Sequence, residues 1–335
     1  MKLAILGGGS WGTALAILWA RHDHQVQLWA RKPEDVVAFN AAGANTKYLP
    51  EVPFPETLAV VGDLQQLVQT NDLLCLSIPL QAYRAFLMQI KPWLNPRHRM
   101  ILTSKGIELG TGMLPQEIVE DVLGDEWSQR AYTLSGPSFA KEVADDKPTT
   151  VVLAGPHTDE LVTLQEALTT PTFRLYRNHD VMGVEICGAL KNVIAIASGM
   201  VRGLDLGNNT MAGLITRGLH EISRYGVRLG AERETFAGLA GMGDLILTCT
   251  GGLSRNLRVG MGLASGKPLE QVLHDLGMVA EGVHTCKSVR HKAHELGVEL
   301  PITEVVYHIL YEGMKPQEGL RRLMTRSLKA EVRKQ

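Results

Sequence analysis

Through the first half of the chain, short apolar runs alternate with amphipathic stretches. Residues 2–6, 25–29, 73–78, 100–103, 131–134 and 150–154 read as strands, and several are too apolar to leave one face in water. Apolar strands separated by helices predict a parallel sheet covered on both sides. From about Val181 onward the apolar positions fall at helical spacing instead. Residues 181–201, 211–225, 232–239, 268–276, 281–296 and 303–311 are predicted helices, so the second half reads as all helical. No Ser/Gly-rich or Pro-rich linker separates the halves, which predicts two closely packed domains, 1–182 and 183–335, with a cleft between them. The basic run 321–334 reads as a solvated helix face.

Composition narrows the function classes. The 34 Lys and Arg nearly balance 35 Asp and Glu, so no strong field invites nucleic acid or an anionic membrane. Glycine, 34 of 335 residues, exceeds the average share of ~7%, an excess associated with tight turns and with backbone brought close to ligands. The four cysteines form no C-x-x-C pair, which fits a reducing cytoplasm. Residues 3–20 carry no charge over 18 positions, the lower limit for a membrane span. Gly7-Gly8-Gly9-Ser10 interrupts them, so neither a membrane span nor a signal peptide is expected.

That interruption is itself the strongest local motif. Gly7-Gly8-Gly9-Ser10-Trp11-Gly12 satisfies G-x-G-x-x-G directly after a strand and before a helix that aligns Trp11, Leu15, Leu18 and His22. Gly7 suits the tight turn, Gly9 removes the Cβ that would block a pyrophosphate, and Gly12 lets helix approach strand. The chain is therefore expected to be α/β, an N-terminal Rossmann-type doubly wound sheet followed by an all-helical C-terminal domain. Arg31-Lys32 end the second strand where NAD-specific sheets carry a carboxylate, which suggests room for the 2′-phosphate of NADP. The same turn also reads as G-x-S-x-G, the nucleophile elbow of serine hydrolases, but Ser10 follows a single strand, and an elbow needs earlier strands for its oxyanion loop.

Lys191 stands in an apolar helix, with Cys187, Gly188, Ile194 and Ala195 at three and four positions from it. None of these pairs with an ammonium. Either desolvation lowers its pKa and suits it to proton exchange, or the chain snorkels to solvent. Farther on, three glycines precede Asp244 within Gly238–Gly243, and Ser254-Arg255-Asn256 follow Gly251-Gly252. Asp244 could orient Lys191, while Ser254, Arg255 and Asn256 could open a helix onto an anion. No metal site is expected, since the histidines form no H-E-x-x-H set. A cofactor-binding regulator would keep the glycine turn but need neither Lys191 nor Asp244.

Taken in order, Gly7-Gly8-Gly9-Ser10-Trp11-Gly12, Lys105-Gly106-Ile107-Glu108, Ser135-Gly136-Pro137-Ser138-Phe139-Ala140-Lys141-Glu142, Ala189-Leu190-Lys191-Asn192, Ile215-Thr216-Arg217-Gly218, Gly243-Asp244-Leu245 and Ser254-Arg255-Asn256 run almost the length of the chain. The series resembles bacterial NAD(P)-dependent glycerol-3-phosphate dehydrogenases. The resemblance implies that Lys191, with Asp244, is catalytic and accepts the proton, and that Lys105 touches both cofactor and substrate. It places Gly136, Ser138, Asp244, Ser254, Arg255 and Asn256 at the substrate, and Ser10, Trp11, Arg31, Ala140, Arg255, Val279 and Glu281 at the dinucleotide. It further implies a cytoplasmic homodimer that interconverts small molecules, sn-glycerol 3-phosphate and dihydroxyacetone phosphate, with NADP or NAD, for phospholipid synthesis. Met211 departs from the Lys or Arg common there, which touches a peripheral polar contact.

Overall fold

Leu3, Ala4, Ile5 and Leu6 are wholly buried because both faces of the first strand are covered, as continuous apolarity predicts. The computed structural model describes residues 1–277, 279–328 and 330–331. Its eight strands are β1 (Lys2–Leu6), β2 (Gln25–Trp29), β3 (Leu58–Val61), β4 (Leu73–Leu76), β5 (Arg99–Leu102), β6 (Ala131–Ser135), β7 (Thr149–Ala154) and β8 (Phe173–Asn178). They form one sheet in the order β3-β2-β1-β4-β5-β6-β7-β8, so the chain reverses its winding direction between β1 and β4. Around it lie α1 (Ser10–Arg21), α2 (Pro33–Ala42), α3 (Leu64–Thr70), α4 (Tyr83–Ile90), α5 (Pro115–Leu123), α6 (Ala140–Ala144) and α7 (Asp159–Leu168).

The sheet is not wholly parallel, contrary to expectation: β7 runs antiparallel to β6, with Ser135 opposite Val152. Five-residue α6 spans only ~7.5 Å, too short to carry the chain back along the sheet before β7 begins. Two strands escape the sequence reading, β3 and β8. They are the sheet's two edge strands, and β8 alternates buried and exposed residues as an edge strand does.

After the sheet come α8 (Val181–Gly203), α9 (Gly207–Leu229), α10 (Asp244–Thr250), α11 (Arg255–Ala264), α12 (Leu269–Leu276), α13 (Glu281–Glu295), α14 (Pro301–Tyr311) and α15 (Pro316–Met324). The helix expected at 232–239 does not form. A 3₁₀ turn over Arg233–Ala237 stops at Gly238, whose backbone is extended, and a π turn follows over Leu239–Gly243. Arg321 and Arg322 are exposed on α15, as expected of a solvated face, but this helix ends at Met324, and residues 329 and 332–334 of the basic run lie outside the described residues.

α8 is long and apolar enough to cross a membrane by length and composition, yet 89% of its most apolar window is buried inside the protein. Its neighbours are α9, α10, α11 and α13. Glycine sets the closest of these contacts: a Cβ on Gly199 would stand 2.0 Å from the Leu257 carbonyl oxygen, and one on Gly260 would stand 2.0 Å from that of Ile196. Glu185 ties α8 back to the sheet, accepting from Thr133 Oγ1 at 2.8 Å and from the Gln116 N–H at 3.2 Å.

Candidate active site

The parallel strands β1, β4 and β5, together with β6, end on one side of the sheet, and the winding reversal between β1 and β4 opens a crevice there. Gly7 has φ +129°, and a Cβ on it would lie 2.5 Å from the Ser77 carbonyl oxygen. Gly12 presses on the same turn, where a Cβ would meet the Gly7 oxygen at 2.0 Å. Gly9 differs, since no heavy atom would come within 4 Å of its Cβ. Thus two glycines are demanded by packing and the middle one faces open space, the arrangement a pyrophosphate requires. Gly9 is also the N-cap of α1 and makes no side-chain cap, so the N–H groups of the first turn, at Ser10 and Trp11, remain available to an anion.

Past β2, Arg31 and Lys32 are both exposed; Lys32 caps α2 and lies 3.7 Å from Glu34. A pair that loose and exposed leaves both cations free to meet a phosphate.

Across the crevice the structure brings together groups far apart in sequence. Lys191 is not a snorkelling lysine, because its side chain is only 8% exposed and ends on Asp244, itself 1% exposed. Lys191 Nζ donates to Asp244 Oδ1 at 2.5 Å and to Thr248 Oγ1 at 2.8 Å. Lys105, from the loop after β5, donates to the other oxygen, Asp244 Oδ2, at 2.7 Å and to the Gly136 carbonyl at 3.2 Å. One carboxylate therefore serves two ammonium groups, one from each side of the crevice.

The electrostatics follow from that sharing. Burial pulls Lys191 down to about 7; Asp244 opposes the fall and the second cation, Lys105, adds to it. Burial acting alone would raise Asp244, but the two lysines outweigh it and hold the carboxyl below its ordinary value.

Among the remaining predicted residues, Gly136 joins this centre directly, its carbonyl accepting from Lys105. Gly136 has φ +135°, and Ser138 Oγ donates to its carbonyl at 3.0 Å. Ala140 opens α6, and Ser254 caps α11 by accepting from the Leu257 N–H at 3.3 Å. Arg255 Nη1 donates to the Val279 carbonyl at 3.0 Å, leaving its other donors unspent in that bond. Asn256 Nδ2 donates to Asn192 Oδ1 at 2.9 Å and accepts at Oδ1 from the Gly282 N–H at 3.0 Å. Glu281 accepts from the Leu80 N–H through Oε1, while its buried Oε2 has no hydrogen-bond partner among the described residues. An orphaned buried acceptor of this kind fits an amide or hydroxyl donor from a bound group.

Sequence reasoning singled out neither Thr248 nor the role of Asn192. Thr248 was findable, since it lies four residues after Asp244 and so on the same helix face. No cluster of three or more metal-ligating side chains occurs among the described residues.

A glycine turn left open at Gly9 and a buried Lys191–Asp244 pair are what the class of nicotinamide-dependent dehydrogenases requires of its two halves. The model of the NAD-dependent glycerol-3-phosphate dehydrogenase N-terminus matches residues 2–161, and that of the C-terminus matches 180–321. The chain belongs to this family. It is 48% identical over 330 residues to the glycerol-3-phosphate dehydrogenase [NAD(P)+] of Geobacter metallireducens, covering 98% of each chain, and 46% identical over 331 residues to that of Moorella thermoacetica, covering 99% of this chain and 98% of the other. The crystal structure of glycerol-3-phosphate dehydrogenase from Coxiella burnetii superposes with a TM-score of 0.92 at 39% identity, over 97% of this chain and 99% of that one. A ketopantoate reductase from Ralstonia eutropha, at 16% identity and a TM-score of 0.60, shares the fold alone.

Proposed function

We propose that this protein interconverts sn-glycerol 3-phosphate and dihydroxyacetone phosphate, with Lys191 moving the proton of the substrate oxygen. The observation that carries the assignment of Lys191 is its burial against a carboxylate shared with Lys105. Gly7, Gly9, Ser10, Trp11 and Gly12 would hold the dinucleotide phosphates, with Arg31 and Lys32 at the ribose and Lys105, Ala140, Arg255, Val279 and Glu281 toward the nicotinamide half. When bound, NADP or NAD supplies the carbon that takes or gives hydride.

Lys191 spends two of its three N–H donors on Asp244 and Thr248 and keeps one for the substrate. Above about pH 7 it is neutral and accepts the alcohol proton; below, as ammonium, it returns that proton to the carbonyl oxygen. Oxidation should therefore quicken, and reduction slow, as pH rises through that value. Lys105, with Gly136, Ser138, Ser254, Arg255 and Asn256, positions the phosphorylated substrate, and positioning supplies much of the rate.

Dihydroxyacetone phosphate added with NADPH should produce a fall in absorbance at 340 nm, and Arg255→Lys refines the test. Lysine keeps the charge but loses the planar fork, so kcat/KM on the phosphorylated substrate should fall ~5–150-fold. Activity on unphosphorylated dihydroxyacetone should barely respond. A matching loss on both substrates, or none on either, removes Arg255 from the phosphate.

Arg31 and Lys32 make a separate prediction. Charge-assisted bonds to a 2′-phosphate are worth ~1.5–3 kcal/mol, so replacing both by Ala should weaken NADPH at least ~10-fold and spare NADH. Equal weakening of the two cofactors, measured by fluorescence titration, would show that the pair does not read the 2′-phosphate.

The reading includes a dinucleotide domain over 1–182, a helical domain over 183–335, a cytoplasmic homodimer, and supply of glycerol 3-phosphate for phospholipid synthesis. The family resemblance supports it, and four buried cysteines that are all free fit its cytoplasmic part.

A further inference from the structure

We propose that Gly188 is a positioning residue of this site: its missing side chain leaves the passage through which the Lys105 stem crosses α8 to reach Asp244. The proposal rests on Lys191 being the proton carrier. Gly188 lies buried in α8, three residues before Lys191. A Cβ there would stand 3.2 Å from Lys105 Cγ, 3.5 Å from Lys105 Cδ and 3.2 Å from Ser135 Oγ. The first and last of these are tighter than a methyl group ordinarily tolerates. Nothing in the backbone asks for glycine here, since the position is mid-helix and its φ is not positive. In such a place glycine is less favourable than alanine. The other glycines of α8 have other tasks: Gly183 faces the capping Asp180, and Gly199 and Gly203 face α11.

Moving Lys105 would change the chemistry as well as the packing. The groups acting on Lys191 are Asp244 and Thr248 from α10 and Lys105 from the loop after β5. Cys249 on α10 and Cys187 on α8 also lie in this region, and burial holds both thiols protonated. With Lys105 displaced, Asp244 turns wholly to Lys191 and a neighbouring like charge is lost. Both changes favour the ammonium form. Lys191 then keeps its proton to higher pH and becomes a poorer acceptor at neutrality. The missing side chain at Gly188 thus admits a cation from the opposite side of the crevice, which tunes the proton affinity that burial gives Lys191.

The test is the pH profile of kcat for glycerol 3-phosphate oxidation in Gly188→Val. The wild-type rate should rise through about pH 7, and in the variant that limb should move up by ~1 pH unit, giving a roughly fivefold loss at pH 7 that approaches tenfold at lower pH. Lys105→Met should move the limb in the same direction, and the double variant should move it no farther than Lys105→Met does. Where valine prevents folding, Gly188→Ala should give a smaller shift of the same sign. A lowered kcat with the limb unmoved would reduce Gly188 to a packing residue and overturn the proposal, as would shifts that add in the double variant. Failure of the underlying reading looks different: Lys191→Met would keep its turnover and the wild-type profile would lack the limb.

Discussion

Lys191→Met lowers turnover at least ~100-fold while the affinity for NADPH changes little. General acid–base catalysis contributes typically ~10²–10⁴-fold, and methionine removes the proton-carrying nitrogen while keeping the length and apolar packing of the stem. The fold should tolerate the change because Asp244 retains Lys105 and so is not left as an unpaired buried charge. Residual turnover should also lose the pH dependence near 7 that the wild-type amine imposes. Steady-state assays from pH 5.5 to 9 in both directions check this, and near-normal turnover at any pH in that range sinks the assignment.

Asp244→Asn should be the most damaging single change to both activity and stability. It removes the anion between two ammonium groups and leaves them beside a neutral amide. Breaking a buried ion pair by deleting one partner costs ~3–5 kcal/mol. Turnover should fall by at least ~100-fold, since neither lysine is then held in place.

The stability loss has a pH signature whose sign is fixed. Without the carboxylate, Lys191 deprotonates at lower pH than the wild-type value of about 7. Between the two values the wild-type folded state keeps a proton that the variant has shed. The unfolded lysine, near 10.5, is protonated in both proteins. Variant stability therefore rises across this window while that of the wild type does not. The gap in denaturation midpoint should be widest in acid and narrow as pH approaches 7; a gap constant from pH 5 to 8 would mean that the carboxylate does not govern the charge of Lys191.

Much of this protein is legible before folding because the relevant physics is local. The glycine spacing at Gly7, Gly9 and Gly12 is a statement about three backbone positions within one turn, and the packing around them matches that reading, down to the open space at Gly9. The helical periodicity of α8 survives unchanged, since its buried residues contact neighbours on every side. Local rules fail where glycine or an edge intervenes. Residues 232–239 carry a helical pattern that Gly238 interrupts, and β8 hides its apolar positions between arginines and a tyrosine.

Lys191 marks the boundary between the two kinds of information. From the sequence alone it is an unpaired cation among Cys187, Gly188, Ile194 and Ala195, equally readable as buried or snorkelling. Its resolving partner, Asp244, lies 53 residues away, and the cation that divides that carboxylate, Lys105, lies 139 residues from it. The class of fold, the cradle and the presence of an anomalous lysine follow from sequence, because spacing and polarity determine them within a few residues. Only the tertiary structure decides that one carboxylate is shared by two lysines. Burial first, and that sharing second, set the proton affinity of Lys191, and both depend on distance and enclosure in three dimensions, which separation along the chain does not encode.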